Sequence, residues 1–300
     1  MKFSEFAEEI KLQLEDILKQ ESTVAIHSVT KNNGVVLHGI TITNGKRNIS
    51  PTIYLEEFYG EFLKGKKIPE IAGEIYGIYE HDTYKENLDL SFFTDYENAK
   101  DNIVYKLVNY EKNKELLKEV PHVRYLDLAI VFYCLVKNEE LGNATILIRN
   151  NHLSLWKQNA NAIYNVARNN TPKLLPPDLR SMEEILEELL AVREEDEDGM
   201  ACDITETGMY VLSNKSRMYG ASVIMYEHVL SSFARQKKRD LIILPSSIHE
   251  VILIPYEDNH DREYLKQMVA DVNRTQVDAQ EVLSDQVYMY IRDEKKIVCM

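Results

Sequence analysis

The stretch Leu241 to Tyr256, LIILPSSIHEVILIPY, places two serines, a histidine and a glutamate between two apolar runs. As chemistry, Ser246 or Ser247 would be the nucleophile, His249 its base and Glu250 the carboxylate that orients the imidazole. An alcohol near neutral pH needs such an adjacent base to become reactive. The spacing works against a self-contained triad. One short connection rarely aligns side chains 247, 249 and 250 in a single line of hydrogen bonds, and catalytic triads are assembled from distant chain segments. The glycines of a strained nucleophile turn are also missing. The competing reading is structural: LIIL and VILI are buried strands, Pro245 ends the first, and the serine hydroxyls bond the local backbone in the bend. The structural reading is preferred.

No other motif competes for the chemistry. The chain has no GxxxxGK[ST], no GxGxxG after a strand, no HExxH and no GxSxG, so phosphate-loop, dinucleotide, zincin and nucleophile-elbow readings lack their signatures. Its eight histidines, His27, His38, His81, His122, His152, His228, His249 and His260, contain no pair at helical ligand spacing. No cofactor and no metal are expected. The eighteen tyrosines fall mostly beside amphipathic helices or on strand faces, where a ring packs at the core edge and its hydroxyl stays wet.

The elements that must position PSSIHE follow from hydrophobic periodicity. Residues 3–19 carry Phe3, Phe6, Ile10, Leu14 and Leu18 along one helical face. The runs 23–29 and 35–42, separated by Lys31-Asn32-Asn33-Gly34, read as a hairpin. Residues 48–80 change to helical spacing, with Ser50-Pro51 as a start and Gly65 as a stop between two helices. From Ile103 onward strand patterns dominate, at 103–110, 123–136, 144–150, 209–214, 287–291 and 296–300. Helical segments lie between them at 151–168, 181–194, 219–236 and 261–273. Short polar connections favour antiparallel pairing. The expectation is an α+β fold, with a small N-terminal α+β unit over 1–110 and a larger unit over 111–300, mainly antiparallel sheet with helices packed on it. The Pro-rich segment 169–180 and the acidic run 194–199 read as surface connections.

Charge and cysteine usage narrow the setting. Against 35 basic residues stand 49 acidic ones, a formal charge of -14. That balance repels a phosphate backbone, disfavours nucleic acid and points to a basic protein partner. Cys134, Cys202 and Cys299 are scattered and without CxxC spacing, which implies neither a disulfide framework nor a zinc cluster and suits the cytoplasm. The N-terminal helix lacks the apolar stretch of a signal peptide. The longest apolar run, LAIVFYCLV at 128–136, falls short of the ~20 residues that span a bilayer, so no membrane association is expected.

Four stretches together, SPTIYLEEFYGEFLKG (50–65), RYLDLAIVFYCLV (124–136), YGASVIMYEHVL (219–230) and above all ILPSSIHEVILIP (243–255), resemble an uncharacterised domain-of-unknown-function family of anaerobic Gram-positive bacteria. That family often sits in mobile-element neighbourhoods, and its most specific element is PSSxHE. The resemblance implies a cytoplasmic bacterial protein and brings no activity or site residue with it. A recurring hexapeptide does imply fixed partners for its side chains, with Tyr219 and the amides near Gly220 as candidates, the latter open to an anion. The expected function is that of a soluble interaction or regulatory protein. The alternative is a hydrolase or transferase around Ser246, Ser247, His249 and Glu250, with Arg124 or Tyr219 brought in from elsewhere.

Overall fold

The computed structural model describes residues 1–19, 22–45, 50–82, 91–138, 142–193, 207–245, 247–258 and 261–300. Ser246, Cys202, His260 and the acidic run 194–199 lie outside the described residues. The fold is α+β, with every strand pairing antiparallel. Two compact units divide the chain, Met1–Phe92 and Phe93–Met300.

In the first unit α1 (Phe3–Leu18) is followed by β1 (Thr23–Thr30), β2 (Val36–Thr43) and β3 (Thr52–Tyr54), then α2 (Glu56–Leu63) and α3 (Ile68–Asp82). β1 and β2 pair from Thr23↔Thr43 to Thr30↔Val36. Their reversal uses Asn33 (φ 60) and Gly34 (φ 71), the left-handed conformations that Asn-Gly adopts with least strain. Phe6, Ile10 and Leu14, one helical face of α1, are fully buried with Ile40 of the sheet and Ile71 and Ile75 of α3. Each such side chain contributes about 1.5–3 kcal/mol by leaving water. Ser50 and Pro51 precede a short strand rather than a helix: β3 pairs with β2 through Thr41↔Thr52, and the helical spacing begins only at Glu56.

The short helix α4 (Ser91–Thr94) runs across the division at Phe92, and the second unit continues with α5 (Tyr96–Ala99) and β4 (Ile103–Asn109). There follow α6 (Lys114–Glu119), β5 (His122–Tyr125), β6 (Leu128–Asn138), β7 (Gly142–Leu147), α7 (Asn150–Trp156) and α8 (Ala160–Leu174). The remainder is β8 (Pro177–Ser181), α9 (Met182–Arg193), β9 (Tyr210–Asn214), α10 (Val229–Lys237), β10 (Leu241–Leu244), β11 (Val251–Pro255), α11 (Arg262–Thr275), β12 (Tyr288–Ile291) and β13 (Lys296–Cys299). Ile103–Asn109, grouped by the sequence with the first unit, pairs along its whole length with β6. Its apolar side chains therefore fill the cores of the second unit.

Two sheets build this unit. One has the order β4-β6-β5 with β7 also on β6, and the other runs β13-β12-β10-β11-β9-β8. Strands β6 and β10 lack polar alternation because both their faces are covered. On β6, Leu128, Ile130 and Phe132 enter the main core, whereas Ala129 and Val131 pack with Val108, Leu117 and Val120. On β10, Leu241 and Ile243 enter that same main core, while Ile242 and Leu244 face Leu265, Val269 and Val287.

Three further expectations are corrected. The span 151–168 is two helices, since Lys157 turns left-handed (φ 55) and Asn159 caps α8 by accepting from the Ala162 amide at 3.0 Å. The Pro-rich connection is mostly ordered: α8 runs through Pro172, and Pro177–Ser181 pairs with β9 as an edge strand, where a missing N–H at its first residue is tolerated. The span 219–236 is also broken. A 3-10 turn covers Gly220–Met225, Tyr226 is extended, His228 is left-handed (φ 71), and α10 starts at Val229. Tyr226 leaves the helical path because its buried hydroxyl donates to the Leu175 carbonyl at 2.9 Å.

Candidate functional site

PSSIHE joins the antiparallel neighbours β10 and β11, paired up to Leu244↔Ile252. The connection is stitched into its surroundings on both sides. Ser247 forms an antiparallel bridge with Val282, the Ile248 amide donates to the Glu281 carbonyl at 2.8 Å, and the Ala221 amide donates to the Ile248 carbonyl at 3.2 Å. The Ser213 hydroxyl, buried on β9, donates to the His249 carbonyl at 2.7 Å. This backbone is fastened by partners from three other segments, well beyond what a simple turn requires.

The side chains divide as follows. Ser247 is buried, and its Oγ accepts the backbone N–H of His249 at 3.0 Å. Among the described residues no ring nitrogen bonds that oxygen. The His249 ring lies on the Tyr219 ring, with centroids 5.6 Å apart and planes 19° from parallel. Tyr219 is in turn met edge-on by Tyr133 at 5.3 Å and capped by the Lys106 ammonium 4.0 Å from its centroid. His249 Nδ1 has two backbone neighbours, the Tyr219 amide at 3.3 Å and the Arg217 carbonyl at 3.1 Å. An unprotonated Nδ1 accepts from the first, and a protonated one donates to the second, so the proton chooses between them. Nε2 faces Glu281 Oε1 at 3.6 Å.

The carboxylate beside His249 is therefore Glu281, from the loop before β12. Glu250 is half-buried, and its carboxylate has no hydrogen bond or ion pair with a described residue. Arg124 does not join the group; its guanidinium lies 4.4 Å from the centroid of Tyr110. The amides near Gly220 are not open to an anion as expected, because Ala221 donates to Ile248 and Ser222 donates to the Tyr219 carbonyl at 3.3 Å. Gly220 itself is enclosed: a Cβ there would sit 2.1 Å from Ser213 Oγ and 2.4 Å from the His249 carbonyl.

Chemically, Ser247 is a hydroxyl whose lone pair holds an amide, with no base at its oxygen among the described residues. A serine in that state is not activated. His249 with Glu281 is a half-exposed imidazole–carboxylate pair anchored by Tyr219. Among the described residues no group of three or more His, Cys, Asp or Glu side chains is placed to hold a metal ion. No helix among them is long and apolar enough to cross a membrane.

A second polar cluster escaped the sequence reading. Asp127, in the β5–β6 turn, accepts from the Ser284 hydroxyl at 2.6 Å and from the Tyr288 hydroxyl at 2.6 Å. Ser284 and Tyr288 are fully buried. Burial, and then the Asp127 charge, push the Tyr288 phenol far above its ordinary pKa, so it stays a proton donor. The Asn109 amide adds a bond to the Leu283 carbonyl at 3.0 Å. The partners stand 157 and 161 residues apart in sequence, and no local pattern marks them.

With the geometry in place, comparison with known proteins adds one relation. The model of a family of unknown function, DUF5688, matches residues 3–292, and the chain belongs to that family. No curated protein and no solved structure matches it.

Proposed function

We propose that this DUF5688 member is a non-enzymatic interaction or regulatory protein that engages a basic protein partner through α9. Helix α9 carries this reading. Leu186 and Leu189, three residues apart on one face, are both exposed, and Glu184, Glu187 and Glu188 are exposed around them. Two leucines in water are an uncovered apolar anchor, and the ring of carboxylates selects a cationic rim on whatever covers it. The acidic sequence 194–199 follows directly and adds to the negative field. The cytoplasm is the proposed compartment, on the scattered cysteines. A bacterial source among Gram-positive anaerobes, with a mobile-element setting, rests on the PSSxHE resemblance.

The competing hydrolase or transferase reading draws less support from the geometry, since the Ser247 hydroxyl holds the His249 amide rather than facing the imidazole. The test is co-purification from bacterial cytoplasm with the wild-type chain, Leu186→Glu/Leu189→Glu and Ser247→Ala as baits. The reading requires a basic protein retained by wild type and Ser247→Ala and lost with the double variant, whose melting temperature should be unchanged. Equal recovery with all three baits, or recovery only of acidic proteins, overturns it.

A further inference from the structure

A cavity of about 910 Å³ in the second unit contradicts the charge of the chain around it. Its lining holds four permanent cations, Arg235, Arg292, Lys295 and Lys296, and one carboxylate, Glu227, in a protein of net charge -14. Glu227 is itself 3.7 Å from Arg168. Arg292 pairs with Asp293 at 3.1 Å and Lys296 with Glu294. The other two cations have no carboxylate partner among the described residues. Among the described residues Arg235 donates within its own helix, to the Ser231 carbonyl at 3.2 Å and toward Ser232 Oγ. Lys295 sits at the β12–β13 turn with φ 51.

The floor beneath these cations is aromatic and apolar. Tyr226 and Tyr290 are each 5% exposed and form it together with Leu230, Ile224 and Ile297. The Tyr226 hydroxyl is bonded to the Leu175 carbonyl, so that residue offers the cavity its ring. A concave site of several hundred Å³, apolar below and with a few convergent charges, matches the usual anatomy of a small-molecule site. An apolar ligand alone would leave the cations unmatched, and a bare inorganic anion would leave the tyrosine floor unused. The planar guanidinium fork meets two oxygens of a phosphate with paired hydrogen bonds, and the lysines add point charge.

We propose that this cavity binds a mononucleotide, its phosphate held by Arg235 and Lys295 and its base placed over the Tyr226–Tyr290 floor. The site lies on residues distinct from α9 and from PSSIHE and does not depend on either. None of Ser247, His249 or Glu250 lines it.

Isothermal titration of the full chain with AMP, adenosine and inorganic phosphate tests the assignment. AMP should bind saturably, and at least about tenfold more tightly than adenosine or phosphate, because each fragment engages only half of the site. Arg235→Gln/Lys295→Gln should weaken AMP by at least about tenfold, since charge-assisted bonds to the phosphate are lost. Both side chains are exposed, so the unliganded variant should melt with wild type. Absence of saturable AMP binding to wild type overturns the proposal. AMP binding no tighter than phosphate, or unchanged in the double variant, does so equally.

Discussion

The Tyr288 hydroxyl donates to Asp127 Oδ1 at 2.6 Å while Ser284 donates to Oδ2, so one turn carboxylate ties the β4-β6-β5 sheet to the segment leading into β12. A fully buried phenol in such a bond gives up its partner only at a cost. Tyr288→Phe keeps the ring and removes the bond, and it should lower unfolding free energy by about 1.5–3 kcal/mol, the range for hydrogen bonds to charged groups. Asp127→Ala should cost more, because it strands two buried hydroxyls. Urea unfolding monitored by fluorescence checks both, and a Tyr288→Phe midpoint equal to wild type would show the bond to be energetically silent.

The Ser247 oxygen makes a second, local prediction. Its acceptor role for the His249 amide lies in a segment fastened to Val282, Glu281 and Ala221, so the amide has no ready substitute. Ser247→Ala should destabilise the second unit by about 0.5–1.5 kcal/mol, the net worth of a hydrogen bond whose donor is partly buried. The measurement is a melting curve taken beside the functional readout. Full stability with abolished function would instead assign the serine to chemistry.

How much of this arrangement was legible in the sequence depends on how local its causes are. The apolar runs of β6 and β10 and the Asn33-Gly34 reversal announced themselves, because burial on both faces and left-handed backbone each leave a local signature. The helix expected over 219–236 failed for a non-local reason: Ala221, Val223 and Ile224 keep an apolar spacing, but Tyr226 is drawn out by a carbonyl from the end of α8. Strand β8, PDLRS, has no alternation and exists because β9 offers it an edge. For the site, the sequence pointed to fixed partners of PSSIHE and to Tyr219 among them, which stacks on His249. It missed Glu281, Ser213 and the Asp127–Ser284–Tyr288 cluster, whose members meet only after the sheets assemble. The cationic cavity was hidden likewise, since its lining comes from β5, the segment 224–228, α10 and the β12–β13 hairpin.

Glu183 supplies a pH prediction. The Thr207 backbone amide, chiefly, then the Glu183 backbone amide and then the Thr207 hydroxyl bond the Glu183 carboxylate and hold its pKa down to about 2, from an ordinary 4.5. A carboxyl depressed on folding stabilises the fold above its unfolded pKa, and the contribution fades as pH falls through the folded one. Wild type should therefore melt above Glu183→Gln at neutral pH, and the gap should close on acidification from 4.5 toward about 2. Melting temperatures across that window test the sign. A gap that persists unchanged at the acid end would mean that the ionised carboxylate is not what joins Thr207 to α9.

Gly220 makes the sharpest structural prediction, because its surroundings are backbone as well as side chain. A methyl group there would meet Ser213 Oγ at 2.1 Å, the His249 carbonyl at 2.4 Å and the Asn214 amide nitrogen at 2.8 Å. The first contact can yield by rotating a serine, but that breaks its bond to His249. The other two belong to chain held in place by β9 and by the PSSIHE connection. Gly220→Ala should cost about 3 kcal/mol, the upper range for overpacking a tight site. Gly73, in the exposed face of α3, has nothing within 4 Å of its would-be Cβ. Gly73→Ala should stabilise by about 0.5–1 kcal/mol through helix propensity. Measured side by side in urea, the two substitutions should move their midpoints in opposite directions, and a harmless Gly220→Ala would mean that PSSIHE is not clamped against β9 in solution.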